Sequence, residues 1–256
     1  KLLGQHWLKD RDILSRIADE ANITSEDTVL EIGPGLGTLT SELLRRAHKV
    51  IAVELDEDLA RKLPGQFPGT SLEVVHQDIL RFDLRQLPKK YVVVANVPYY
   101  ITSKIIRLLT TSSNPPRAIV LLIQKEVAER MVAKPGDMSM LAVSSQVYAN
   151  VRLGAVVPAE LFTPPPKVDS QVVVLEMRSS SLVDSSLEKL FFQAAKAGFS
   201  AKRKKLRSSL SSGLHYSKDE VEEVLASVGI SADARAEDLS IDDWIRVAHA
   251  VKKEGS

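Results

Sequence analysis

Thr28-Val-Leu-Glu31-Ile32-Gly33-Pro34-Gly35-Leu36-Gly37 carries a strand-like run straight into a turn with glycine at every second position. After it, residues 38–46 place Leu39, Leu43 and Leu44 at helical spacing. A strand feeding a helix through a glycine-rich turn is the opening unit of a parallel α/β sheet. Such a turn leaves backbone N–H groups at a helix N-terminus for a ligand. Glycine removes the side chain where the chain must turn tightly and a ligand must lie against it. The order Gly-x-Gly-x-Gly departs from the Gly-x-Gly-x-x-Gly of dinucleotide sites. It is read here as a cradle for a smaller, positively charged ligand.

Working outward, the same alternation continues. Strands are expected over residues 49–54, 71–75, 91–95 and 118–123, and helices over 12–21, 57–63, 103–109 and 125–132. Residues 152–157 and 171–176 form a closing antiparallel pair joined by a long insert. A serine-rich linker over 178–186 follows, and beyond it the pattern is helical, with a capping box at Ser217 and Glu220 and a cap at Ser240. The division expected is an α/β domain over residues 1–178 and a small all-helical domain over 179–256. The 256 residues suffice for both, and the chain has no cysteine, which excludes a disulfide framework, a thiol nucleophile and thiolate zinc sites. With no export signal and no apolar run of membrane-spanning length, a cytoplasmic protein is expected, without a membrane or metal partner and monomeric.

Two carboxylates extend the first motif. Glu54 ends the second strand, 21 residues after Gly33, where it can accept both hydroxyls of a ribose. Asp78 follows the third strand and can accept a hydrogen from the exocyclic amine of an adenine. Gly33, Glu54 and Asp78 together resemble the S-adenosylmethionine site of class I methyltransferases. After the fourth strand stands Asn96-Val97-Pro98-Tyr99. An exocyclic adenine amine is a poor nucleophile because its lone pair is delocalised into the ring, so a catalyst has to orient both N–H hydrogens with acceptors. Asn96 supplies a side-chain carbonyl. Pro98 biases Val97 towards an extended conformation that aims its backbone carbonyl into the site. Tyr99 supplies a face on which a base can stack.

These stretches, with His6-Trp7-Leu8, residues 124–126, 162–170, 203–210 and 235–240, resemble the small-subunit ribosomal RNA adenine dimethyltransferases over essentially the whole chain. The resemblance implies a class I, Rossmann-like methyltransferase sheet with a helical C-terminal domain, and S-adenosylmethionine as cofactor. The implied reaction is N6,N6-dimethylation of two adjacent adenosines in the 3′-terminal hairpin of 16S rRNA, in the pre-30S particle. It places His6 and Leu8 over the cofactor, Gly33 and Gly35 at its methionine end, Glu54 and Leu55 at its ribose, and Asp78 and Ile79 at its adenine. Asn96 then meets the reacting amine, and Tyr99 and Phe162 sandwich the target base. Two departures stand out: the family usually has asparagine where His6 stands and phenylalanine where Trp7 stands. Two other readings stay open, a methylase of a large-subunit adenine and a non-enzymatic RNA-binding assembly factor.

The formal charge of +1 averages two unlike stretches. Residues 189–218 hold eight lysines and arginines and no acid, whereas residues 219–254 hold ten acids against four bases. Lys202, Arg203, Lys204, Lys205 and Arg207 are the expected phosphate contacts, and the acidic segment is expected to face away from RNA.

Overall fold

A computed structural model of the chain describes residues 6–97, 99–201 and 203–254. Pro98 and Lys202 lie outside the described residues, as does the side chain of Tyr99. The chain forms two compact units, Lys1–Glu129 with Ala149–Arg178, and Arg130–Tyr148 with Ser179–Ser256.

The first unit is built on strands β1 (Trp7–Leu8), β2 (Thr28–Ile32), β3 (Lys49–Glu54), β4 (Leu72–His76), β5 (Val92–Asn96), β6 (Ala118–Gln124), β7 (Ala149–Val157), β8 (Phe162–Thr163) and β9 (Ser170–Met177). Its helices are α1 (Arg11–Asp19), α2 (Thr38–Leu44), α3 (Glu57–Lys62) and α4 (Thr102–Thr110), and α5 (Lys125–Met131) follows β6. Seven strands make one sheet in the order β4-β3-β2-β5-β6-β9-β7. β2 lies parallel to both β3 and β5, pairing Ile32 with Val53 and with Ala95. β9 enters antiparallel between β6 and β7, so the expected closing pair forms.

The middle strands read as unbroken apolar runs because both of their faces are covered. Val92, Val93, Val94 and Ala95 are wholly buried, as are residues 119–123 of β6. α1 sends Leu14, Ile17 and Ala18 into a core shared with Leu39 and Leu43 of α2 and Val94 and Val120 of the sheet. That core also takes in Leu8 and Phe162, which face each other in a separate two-stranded ribbon, β1 against β8.

The second unit holds α6 (Met140–Gln146), α7 (Ser185–Phe199), α8 (Leu206–Leu214), α9 (Lys218–Ser227) and α10 (Ile241–Glu254). Ser217 and Glu220 form the expected capping box on α9, and the Ser240 hydroxyl oxygen accepts from the Asp243 amide at the start of α10 (3.1 Å). Trp244 is fully buried, and a Cβ on Gly198 would come within 2.3 Å of its ring. Only glycine lets α7 approach α10 so closely.

Residues 130–148 pack with this helical unit rather than with the sheet. The amides of Gly136 and Met138 both donate to the Glu237 carbonyl (2.9 and 3.1 Å), and Leu182 donates to Val147 (3.0 Å). The Tyr148 hydroxyl donates to Glu188. A single cut after residue 178 therefore separates residues that the packing joins.

Candidate active site

Four parallel strands bring their C-terminal ends to one edge of the sheet. There β2 delivers the glycine turn, β3 delivers Glu54 and Leu55, β4 delivers Asp78 and Ile79, and β5 delivers Asn96 and Val97. All of these line one cavity, together with His6, Leu8 and Phe162 from the β1–β8 ribbon. Crevices outside the carboxyl ends of parallel strands are where open α/β sheets hold ligands.

The turn uses its glycines in different ways. Gly33, Gly35 and Gly37 all lie at positive φ (66, 56 and 79°), where side chains are strained. A Cβ on Gly33 would meet nothing within 4 Å, whereas one on Gly35 would stand 2.1 Å from the Trp7 ring. Gly33 thus leaves an open cradle, and Gly35 makes room for the indole that closes over the loop. The Trp7 indole has its place against that glycine.

Glu54 is only 5% exposed, and its carboxylate is held from both sides. Oε2 accepts from the Gly35 amide (3.1 Å) and Oε1 from the Asp56 amide (2.9 Å). Each oxygen keeps a second lone pair, so the group is oriented before any ligand arrives. Asp78 is fixed by accepting from the Leu80 amide (2.9 Å), capping a short turn. Asn96 is half-buried at the end of β5, and among the described residues no hydrogen bond occupies its side-chain amide.

The cover over this edge is tied down at three points. Leu8 pairs with Phe162 and Trp7 with Thr163, the Thr38 hydroxyl donates to the Leu8 carbonyl (2.9 Å), and His6 Nδ1 donates to the Pro164 carbonyl (2.7 Å). Phe162 is both a core residue, 3% exposed, and part of the cavity wall.

Among the lining residues given no role from the sequence, Glu31 and Tyr100 stand out. Glu31 is 1% exposed within β2. It accepts from the Thr40 hydroxyl (2.6 Å), and burial, with a smaller contribution from the Glu54 charge, pushes its pKa up to about 8. An acid inside an otherwise apolar strand was the available signal.

In the helical unit, Arg203 and Lys204 are exposed. Lys205 pairs with Asp233 (2.8 Å) and Arg207 with Glu222 (2.7 Å). Two acids of the 219–254 segment, Asp233 and Glu222, thus neutralise part of the basic run.

The model of the ribosomal RNA adenine dimethylase family matches residues 1–253. The chain belongs to that family. It is 42% identical to the ribosomal RNA small subunit methyltransferase A of Dehalococcoides mccartyi (strain CBDB1), over 95% of this chain and 85% of that protein. With the protein of the same name from Bacillus pumilus it shares 38%, over 99% and 91%. The crystal structure of a dimethyladenosine transferase from Plasmodium falciparum superposes with a TM-score of 0.84 at 30% identity, covering 98% of both chains. That of the 23S rRNA methyltransferase ErmE gives 0.76 at 28%, covering 96% of this chain and 99% of the other.

Adenine dimethylases of this family take their methyl groups from S-adenosylmethionine, and the residues present fit that cofactor. Gly33 offers an unfilled cradle in the turn that leads into α2, and Glu54 offers a buried, pre-oriented acceptor pair beside it. Among the described residues, no group of three or more His, Asp or Glu side chains is placed to hold a metal. No described helix is long and apolar enough to cross a membrane.

Proposed function

We propose that this chain dimethylates N6 of two adjacent adenosines in the 3′-terminal hairpin of 16S rRNA, as a cytoplasmic monomer acting on the pre-30S particle. The observation that carries the reading is the meeting of Asn96 with Gly33, Glu54 and Asp78 in the wall of one cavity. A methyl acceptor held by Asn96 is thereby brought beside a nucleoside-binding edge.

Glu54 accepts the two ribose hydroxyls with the lone pairs its backbone donors leave, and Leu55 packs beside that sugar. Asp78 accepts from the cofactor's adenine amine, and the Ile79 side chain packs against the ring. Gly33 and Gly35 let the methionine portion lie against the backbone, with His6 and Leu8 above it. When bound, S-adenosylmethionine supplies an electrophilic methyl on a sulfonium, a good leaving group.

Asn96 draws one N–H of the target amine through its side-chain carbonyl, and the Val97 backbone carbonyl, set by Pro98, draws the other. Both contacts turn the nitrogen lone pair out of conjugation with the ring. Tyr99 and Phe162 clasp the base between them, each stack contributing roughly 1–3 kcal/mol. No general base is needed, because the proton leaves to solvent after methyl transfer, and positioning supplies much of the rate. Lys202, Arg203, Lys204, Lys205 and Arg207 contact RNA phosphates.

The test is methyl transfer to small subunits lacking the modification, with mass spectrometry of the 3′ hairpin. Dimethylation of both adenosines, abolished by Asn96→Ala, is the expected result. Methylation confined to large-subunit RNA, or full activity in that variant, would overturn the reading.

A further inference from the structure

Tyr100 has no part in the mechanism above, yet it lines the same cavity as Asn96. At 65% exposure it is the most exposed large hydrophobic side chain among the described residues. Its hydroxyl makes no hydrogen bond among the described residues, so no polar anchor accounts for its position. One other exposed apolar side chain belongs to the same rim. Leu55 is 49% exposed and also lines the cavity. Apolar surface gathered at a cavity mouth marks a binding edge. Tyr99–Ile101 form a single 3-10 turn that leads directly into α4.

The substrate explains what such a rim is for. A base drawn in to Asn96 leaves its neighbour in the strand without a stacking partner, at the cavity mouth. An exposed aromatic ring restores that stacking whatever the base, because every base has a π-face. Resting on the reading above, we propose that Tyr100 is the stacking platform for the nucleotide next to the adenosine being methylated. It holds the adjacent adenosine at the mouth while the first is processed, and so favours modification of the pair over modification of one.

The experiment compares the wild type with Tyr100→Ala, Tyr100→Leu and Tyr100→Phe, as full chains, on small subunits lacking the modification. Binding of S-adenosylhomocysteine, measured by calorimetry, reports the fold and the cofactor site; it is expected to stay within about twofold in all three. The alanine and leucine variants are expected to raise KM for the subunit by roughly tenfold, within the range that loss of one base stack gives. They also accumulate hairpins dimethylated on one adenosine alone, and phenylalanine restores both values.

Wild-type KM and product ratio in the alanine variant would overturn the proposal, as would a phenylalanine variant behaving like alanine. Either failure, seen alongside an active wild type, leaves the proposed function standing. A wild type that transfers nothing to small subunits removes that function itself.

Discussion

Glu31 and Gly35 sit four residues apart and constrain the site in opposite ways. Glu31 is an acid that burial keeps protonated, with its pKa near 8 against an ordinary value of 4.5. The unfolded chain releases this proton near pH 4.5, whereas the folded chain holds it until about pH 8. The stabilisation from the neutral group is therefore fully present below pH 4.5 and is lost as pH rises through that window. The expected result is that Glu31→Gln, which removes the titration, flattens the fall in stability between pH 5 and 8. At pH 8 it gains on the order of a few kcal/mol over the wild type, measured by urea unfolding. Gly35→Ala fails for steric reasons: a positive φ and a Cβ 2.1 Å from the Trp7 ring. It should cost about 1–3 kcal/mol and also weaken S-adenosylhomocysteine binding, because the Gly35 amide orients Glu54.

The elements bearing the cofactor site were legible because each has a long pattern. β2, β3, β5 and β6 are β-branched or apolar runs, and in parallel strands Glu54 and Asn96 necessarily emerge at one edge with the glycine turn. β1 and β8 are two residues each, too short for any period, and their pairing depends on a contact across more than 150 residues of chain. α6 hid behind Gly136 and a single turn's worth of apolar residues; Ser139, accepting from the Ala142 amide, starts it. Glu31 was visible as a residue, but its charge state depends on burial that no local pattern encodes. The ribbon carries its own prediction. Phe162 belongs to the core as well as the cavity wall, so Phe162→Ala should cost about 3–5 kcal/mol of stability in denaturant unfolding. Through Leu8 it should also loosen cofactor-analogue binding. A variant that lost RNA methylation with stability and analogue binding intact would show that Phe162 serves the base alone.

For the molecule as a whole, a net charge of +1 says little, because position and pairing decide what a phosphate meets. The ion pairs divide the basic run. Lys205 and Arg207 already answer Asp233 and Glu222, whereas Arg203 and Lys204 are exposed and have no ion pair among the described residues. An unpaired cation that neutralises a phosphate releases condensed counterions, and each such contact steepens the salt dependence of RNA affinity by about 0.7–0.9 in log–log slope. A paired cation must first exchange its carboxylate for the phosphate, so its net contribution is smaller. Replacing Arg203 and Lys204 together by alanine should therefore lower affinity for the rRNA hairpin and reduce the slope by roughly 1.4–1.8. The Lys205→Ala, Arg207→Ala double variant should change the slope by less than half as much. Fluorescence anisotropy on the hairpin across a salt series measures both. Equal slope changes in the two variants would mean that the carboxylates release their partners on binding, and that the acidic segment does not tune this surface.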